Sequence, residues 1–179
     1  MITILIVSVS SVPDLYQVVK PEDVKEFNEN GLKGFFEQIL KLTEAAQTIH
    51  EKMLNQFKTE YDLDKAIYYG KVDSYKKKAT SSLKKLKPGV ELIDKKSFQI
   101  IDHEIANHLH EIRFKLVKAI ISLEKMVTDI TMELKEKAAD PNNSRSWTVF
   151  LKLTLDEDDF SYLTKEAVNE IKIVIDSLV

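Results

Sequence analysis

Residues 98–134 read FQIIDHEIANHLHEIRFKLVKAIISLEKMVTDITMEL and contain neither glycine nor proline. Apolar side chains return along this stretch every three or four positions, and ten such steps cover 36 positions, which matches the period of an α-helix. All of them therefore share one face of a single helix. The members of this apolar stripe are Phe98, Ile101, Ile105, Leu109, Ile112, Leu116, Ala119, Leu123, Met126, Ile130 and Leu134.

The same stretch carries a second apolar face. At about 100° per residue, Phe114, Val117, Ile121 and Met132 lie opposite the stripe. At about 1.5 Å per residue the helix is about 55 Å long, too long for a compact globule of this chain length to enclose. We therefore expect an elongated helical bundle with one very long central helix at about residues 95–138. The second face is the predicted interface with a partner chain or a second copy.

The composition favours a single helical domain. The chain has 179 residues, of which 44% are hydrophobic and 31% charged, as in ordinary folded domains. Only four glycines and four prolines interrupt it, whereas a β-sandwich or barrel needs a turn about every ten residues. We expect a mainly α protein with one α-rich domain over residues 1–179.

Cysteine usage and the apolar residues near the start of the sequence bear on the cellular compartment. Cysteine is absent, which excludes disulfides, thiolate metal sites and a thiol nucleophile. Residues 2–9 are apolar but are not preceded by the basic segment of a signal peptide. No stretch approaches the ~20 apolar residues of a transmembrane helix. We expect a soluble cytoplasmic protein, with secretion left open.

Further elements are predicted from local patterns. Apolar residues over 32–57 step by three and four, which predicts a second amphipathic helix. The pair 88–89 is Pro-Gly and predicts a turn before the long helix. Residues 147–155 alternate apolar and polar side chains, so we expect a strand that pairs with residues 2–9 in a small β element. The acids at 156–159 predict the start of a last helix.

One cluster on the long helix has residue types that bind metals. Glu104, His108 and Glu111 stand at i, i+4 and i+7, and His50 on the preceding helix could complete the ligand set of a metal-dependent helical-bundle enzyme. The Glu-x-x-His spacing of di-iron bundles is absent, because the residue three after Glu104 is Asn107. Surface histidines beside helix-spaced carboxylates are therefore the favoured interpretation, and a metal ion is the alternative.

A basic segment precedes the long helix. Residues 71–87 contain seven lysines against one aspartate, a charge of +6 in a chain of net charge −3, which leaves −9 for the rest. The acidic remainder disfavours nucleic-acid binding, although the segment could dock on an anionic membrane surface or another polyanion. A solvated helical face is the simpler interpretation. The predicted anion-docking residues are Lys76, Lys77, Lys78, Lys84 and Lys85.

Signatures of catalysis are missing from the sequence. The glycines stand at 31, 34, 70 and 89, too sparse for a phosphate loop or a dinucleotide fingerprint. No catalytic residue or organic cofactor is predicted, and an enzyme is disfavoured without being excluded. We expect a non-enzymatic helical interaction or assembly protein that acts through its long amphipathic helix, as a homodimer with coiled-coil-like contacts or as a subunit of a complex.

Overall fold

The computed structural model describes residues 5–6, 17–18, 29–63, 65–139 and 145–178, and this part of the chain is almost entirely helical. Its helices are α1 (Glu29–Leu63), α2 (Lys65–Lys96), α3 (His103–Ala139) and α4 (Arg145–Ser177), with a 3-10 turn at Ser97–Gln99. Two short strands, β1 (Leu5–Ile6) and β2 (Gln17–Val18), pair antiparallel. The expected mainly α class is confirmed.

The helices pack side by side as a bundle in which each contacts its neighbours in a ring. α1 packs on α2, α2 on α3, α3 on α4, and α4 returns to α1. Lys87 of α2 pairs with Glu124 of α3, whereas Asp94, farther along α2, pairs with Arg113, nearer the start of α3. These two helices therefore run antiparallel, as expected for neighbours joined by short connections.

The apolar stripe of α3 supplies one wall of the core. Seven of its eleven members are at most 2% exposed, and they pack with buried residues of the other three helices. The buried members of the stripe are Leu109, Ile112, Leu116, Ala119, Leu123, Met126 and Ile130. The helical period thus identified correctly which side of α3 faces the bundle.

Buried polar side chains of the core are held by backbone oxygens. The Thr43 hydroxyl donates to the carbonyl oxygen of Ile39 at 2.8 Å, within α1. The Ser82 hydroxyl of α2 donates to the carbonyl oxygen of Ala46 on α1, also at 2.8 Å. Because a buried hydroxyl without a hydrogen-bond partner is destabilising, these contacts let polar residues occupy core positions, and the bond from Ser82 also fixes how α2 sits on α1.

The expected single long central helix is wrong in two respects. α3 has 37 residues, but α1, α2 and α4 have 35, 32 and 33, so α3 is one of several long helices and not a central rod. It also begins at His103 rather than near residue 95. The Asp102 carboxylate accepts a hydrogen bond from the Ile105 amide at 3.0 Å and caps the helix, while the preceding residues form the 3-10 turn. The sequence pattern does not reveal this start, because apolar residues keep the same helical spacing on both sides of it.

The expected strand at residues 147–155 is also wrong, because these residues lie inside α4. β1 pairs with β2 instead, with Leu5 opposite Val18 and Ile6 opposite Gln17. Neither glycine nor proline occurs after Pro141, so nothing in the sequence stops a helix before the end of the chain. Alternation over nine residues was outweighed by the longer helical pattern that includes it.

The expected turn at Pro88 is absent, since α2 continues through it to Lys96. A proline inside a helix removes one backbone hydrogen bond and typically costs about 3 kcal/mol. Leu86 and Ile93, on either side of Pro88, are each 1% exposed and anchor α2 in the core. Burial of these side chains offsets the cost of the proline. This burial depends on the other helices, so the local sequence does not reveal it.

Candidate functional site

The outer face of α3, defined here by Phe114, Val117, Ile121 and Met132, points away from the bundle. Phe114, Ile121 and Met132 are 50%, 59% and 55% exposed, and Val117 is half-buried. At about 100° per residue the three exposed side chains fall within about 20° of one another, opposite the buried stripe. The structure therefore leaves Phe114, Ile121 and Met132 exposed along one line of the helix surface, while Val117 lies about 60° to one side of this line and is half-buried.

A cation covers part of this face. The ammonium nitrogen of Lys118 lies 4.5 Å from the centroid of the Phe114 ring. Such a contact is worth about 0.5–1 kcal/mol at an exposed site, and it folds the lysine back along the helix toward its start. The aliphatic stem of Lys118 thus extends the apolar surface around Phe114.

Ion pairs border the outer face on the side of α2. Asp94 accepts hydrogen bonds from Arg113 Nε at 2.6 Å and from its terminal nitrogen at 3.3 Å, a two-pronged contact. The hydrogen bond and the charge of Asp94 raise the pKa of Arg113, against a lowering by partial burial. Farther along, Lys87 Nζ lies 2.6 Å from a carboxylate oxygen of Glu124. These pairs hold α2 and α3 together.

A polar cluster borders the outer face on the side of α4. His108 Nδ1 lies 2.7 Å from Glu170 Oε1, and Lys115 Nζ lies 4.0 Å from the other oxygen of the same carboxylate. All three side chains are 22–31% exposed. One carboxylate of α4 thus contacts two side chains of α3 that are seven residues apart. Glu170 was not predicted, because it lies 62 residues from His108 in the sequence.

The structure does not bring the four metal-ligand candidates together. His50 is 1% exposed in the core, with its ring centroid 4.3 Å from that of Phe160. His108 contacts Glu170, which lies ten residues, or about 15 Å, along α4 from Phe160. Glu104 and Glu111 are exposed. Among the described residues, no group of three or more such side chains could hold a metal ion.

The predicted anion-docking lysines lie around α2 and not along one line. Lys77, Lys84 and Lys85 are exposed, and Lys76 and Lys78 are partly exposed. Lys77 Nζ pairs with Asp73 at 2.9 Å within the same helix. Eight lysines and three acids lie between residues 73 and 96, so positive charge is concentrated on the solvent side of this helix.

Two exposed apolar side chains on α4 were not predicted. Tyr162 is 64% and Ile173 is 55% exposed, and they stand eleven residues apart, about three helical turns. Their shared face becomes visible only when residues 145–177 are treated as one helix. Between them the same face carries polar residues, so the two side chains do not form a continuous patch.

An open groove lies between α1 and α2. It is lined by Gln38, Leu42, Pro88, Glu91, Leu92, Asp94 and Lys95. Of its charged groups, Asp94 already pairs with Arg113. A Cβ on Gly89 would meet Leu42 only at 3.9 Å, an ordinary contact, so the glycine is not needed to shape the groove.

Comparison with protein-family models, with curated proteins and with solved structures finds no match to this chain. Within the described residues, no helix has a segment long and apolar enough to cross a lipid bilayer.

Proposed function

We propose that the protein is a non-enzymatic helical assembly module that forms a homodimer through the outer face of α3. The observation that carries this proposal is the line of three large apolar side chains, each at least half exposed, opposite the buried stripe of the same helix. Exposed apolar residues scattered singly need no explanation, whereas a line of them on one helix face is typical of a contact surface.

The apolar side chains of the face supply part of the free energy of association. Complete burial of a Phe, Ile or Met side chain contributes about 1.5–3 kcal/mol, so burying the half that is exposed contributes about 1 kcal/mol for each. A dimer buries every residue twice, and the three residues together supply about 6 kcal/mol before the cost of association. Even without that cost, about 6 kcal/mol corresponds to a dissociation constant of only about 40 μM, so flanking contacts must contribute to a dimer that is detectable in solution.

The bordering ion pairs also support a role in assembly. Arg113, His108 and Lys115 pair with α2 and α4 beside the face, and these contacts fix the backbone of α3. A helix that is already rigid loses little conformational freedom when its outer face is covered. The absence of cysteine fits a cytoplasmic setting, which is part of this proposal.

Light scattering after size-exclusion chromatography tests the proposal with a matched pair of variants. Ile121→Glu places a charge on the outer face, and Ile173→Glu places the same charge on α4 at nearly equal exposure, 59% against 55%. We expect Ile121→Glu to be monomeric with wild-type helicity by circular dichroism, and Ile173→Glu to stay dimeric. A wild-type protein that is monomeric at every concentration, or an Ile121→Glu variant that stays fully dimeric, would contradict the proposal.

A second candidate function is docking on a phosphate-bearing polyanion through α2. It is supported by the excess of five positive charges between residues 73 and 96 on a helix whose lysines reach solvent. Co-sedimentation with anionic vesicles tests it, with neutral vesicles and single-stranded nucleic acid as comparisons. Binding must weaken with added salt and with Lys84→Glu/Lys85→Glu, and salt-insensitive binding would argue against it.

A further inference from the structure

We infer that the two copies pack their α3 helices antiparallel about a two-fold axis that passes between Val117 and Lys118. This inference rests on the proposed homodimer and adds its geometry. In this orientation the outer face of α3 is complementary to itself in its apolar positions, and the charges on its flank favour this register.

The apolar positions are compatible with this axis. Of the three large exposed side chains, Phe114 and Ile121 are the two closest together along the helix, and they are equidistant from the point between Val117 and Lys118. In an antiparallel pair centred there, Phe114 of each copy lies opposite Ile121 of the other. The two-fold axis generates this contact twice, so both side chains are covered in each copy.

The charges favour the same register. Glu111 and Lys125 are both exposed and stand seven residues before and seven after Lys118. On the helical wheel they lie on the same flank of the outer face, about 60° and 20° from Phe114. In an antiparallel pair, like flanks of the two helices meet, so Glu111 of each copy faces Lys125 of the other. Two symmetric ion pairs result, each about 10 Å from the axis.

A parallel pair lacks this complementarity. Lys125, which lies close to the line of Phe114 and Met132, would then face Lys125 of the other copy at the same level. Like charges directly opposite one another oppose association. The antiparallel orientation separates these lysines by about 20 Å.

Lys118 does not disturb the proposed axis. Its ammonium group lies over Phe114, about one helical turn from Lys118's own backbone. The two symmetry-related ammonium groups are therefore displaced in opposite directions from the axis, while their aliphatic stems remain near it. Each ammonium comes to the level of Ile121 of the other copy, at the edge of the contact.

Disulfide cross-linking of single-cysteine variants tests the inference, because the chain contains no cysteine of its own. Val117→Cys lies at the proposed axis, so we expect it to cross-link to itself under mild oxidation. Thr128→Cys lies about 16 Å from the axis, so its copies are about 32 Å apart and we expect no cross-link. A mixture of Asn107→Cys and Thr128→Cys chains, whose positions are equidistant from the axis, should give the mixed disulfide.

The outcomes separate the geometry from the proposed function. Self-cross-linking of Thr128→Cys, or failure of the mixed pair in a protein that is dimeric by light scattering, would overturn the antiparallel register and leave the homodimer intact. A protein that is monomeric by light scattering, with no cross-link at any position, would overturn both. Self-cross-linking at Val117 together with the mixed disulfide supports the register.

Discussion

The two faces of α3 have similar amino acids and opposite environments. On the inner face, Leu116 and Leu123 are at most 1% exposed, whereas Phe114 and Ile121 on the outer face are at least half exposed. The inner face is covered by three other helices of the same chain, and no described element covers the outer face. Side-chain hydrophobicity alone therefore does not determine burial, and the comparison separates the apolar residues of α3 that form the core from those that stay exposed.

The largest expected effect is on the inner face. Leu116→Ala removes a side chain that is 0% exposed and leaves a cavity among packed neighbours. Such changes cost about 2–5 kcal/mol, so the free energy of unfolding should fall by that amount in chemical denaturation. Phe114→Ala serves as the matched change on the outer face and should cost the monomer less than about 1 kcal/mol. Equal losses for the two variants would mean that the two faces are equally buried in solution.

The next effect is on association. Phe114→Ala removes an apolar contact and the cation–π contact with Lys118 in both copies of the dimer. At about 1 kcal/mol for each copy, the dissociation constant should rise about 30-fold, measured by sedimentation equilibrium. Tyr162→Ala on α4, where the side chain is 64% exposed, is the control and should leave the dissociation constant unchanged. A larger effect of Tyr162→Ala would place the interface on α4.

A smaller effect is expected from the flanking charges. Glu111→Lys and Lys125→Glu each turn two ion pairs into two repulsive pairs and should weaken the homodimer about tenfold at low salt. A mixture of the two variants restores opposite charges at both contacts, so the mixed dimer should form with near wild-type affinity. If mixing restores nothing, these residues do not face each other.

The smallest effect concerns the pair that fastens α3 to α2. Asp94→Asn removes the charged partner of Arg113, and because both side chains are at least a third exposed, we expect a loss of about 0.5–1 kcal/mol in unfolding free energy. Because the pKa of Arg113 is raised, its guanidinium stays charged through the neutral and mildly alkaline range, and its stabilising effect is lost only as the pH rises through that pKa. The difference between wild type and variant should therefore stay constant from neutral to mildly alkaline pH. A difference that declines over this range would assign the effect to another group.

Local periodicity was sufficient to predict the inner and outer faces of α3, because both depend only on the spacing of residues within one helix. Ion pairs between helices were not predictable in the same way. His108 and Glu170 meet only because α3 and α4 pack side by side, and nothing near His108 in the sequence indicates its partner. The metal-ligand hypothesis had the same limitation. Spacing along α3 gave no information about the position of His50, which lies on another helix in the core.

Helix boundaries were the least predictable feature of the fold. Pro88 was interpreted as a turn and residues 147–155 as a strand, yet both lie within long helices. At Pro88 the burial of the neighbouring Leu86 and Ile93 outweighs the local signal, and at residues 147–155 the longer helical pattern does. The start of α3 was predicted too early. The hydrogen bond by which Asp102 caps the helix is local, and the spacing of apolar residues does not reveal it.

The molecular mass of the wild-type chain in solution, measured by sedimentation equilibrium over a range of concentrations, tests the claim that the outer face of α3 is covered by a second copy. The account predicts a concentration-dependent rise toward twice the chain mass of 20.6 kDa. A mass that stays at 20.6 kDa at every concentration would contradict it.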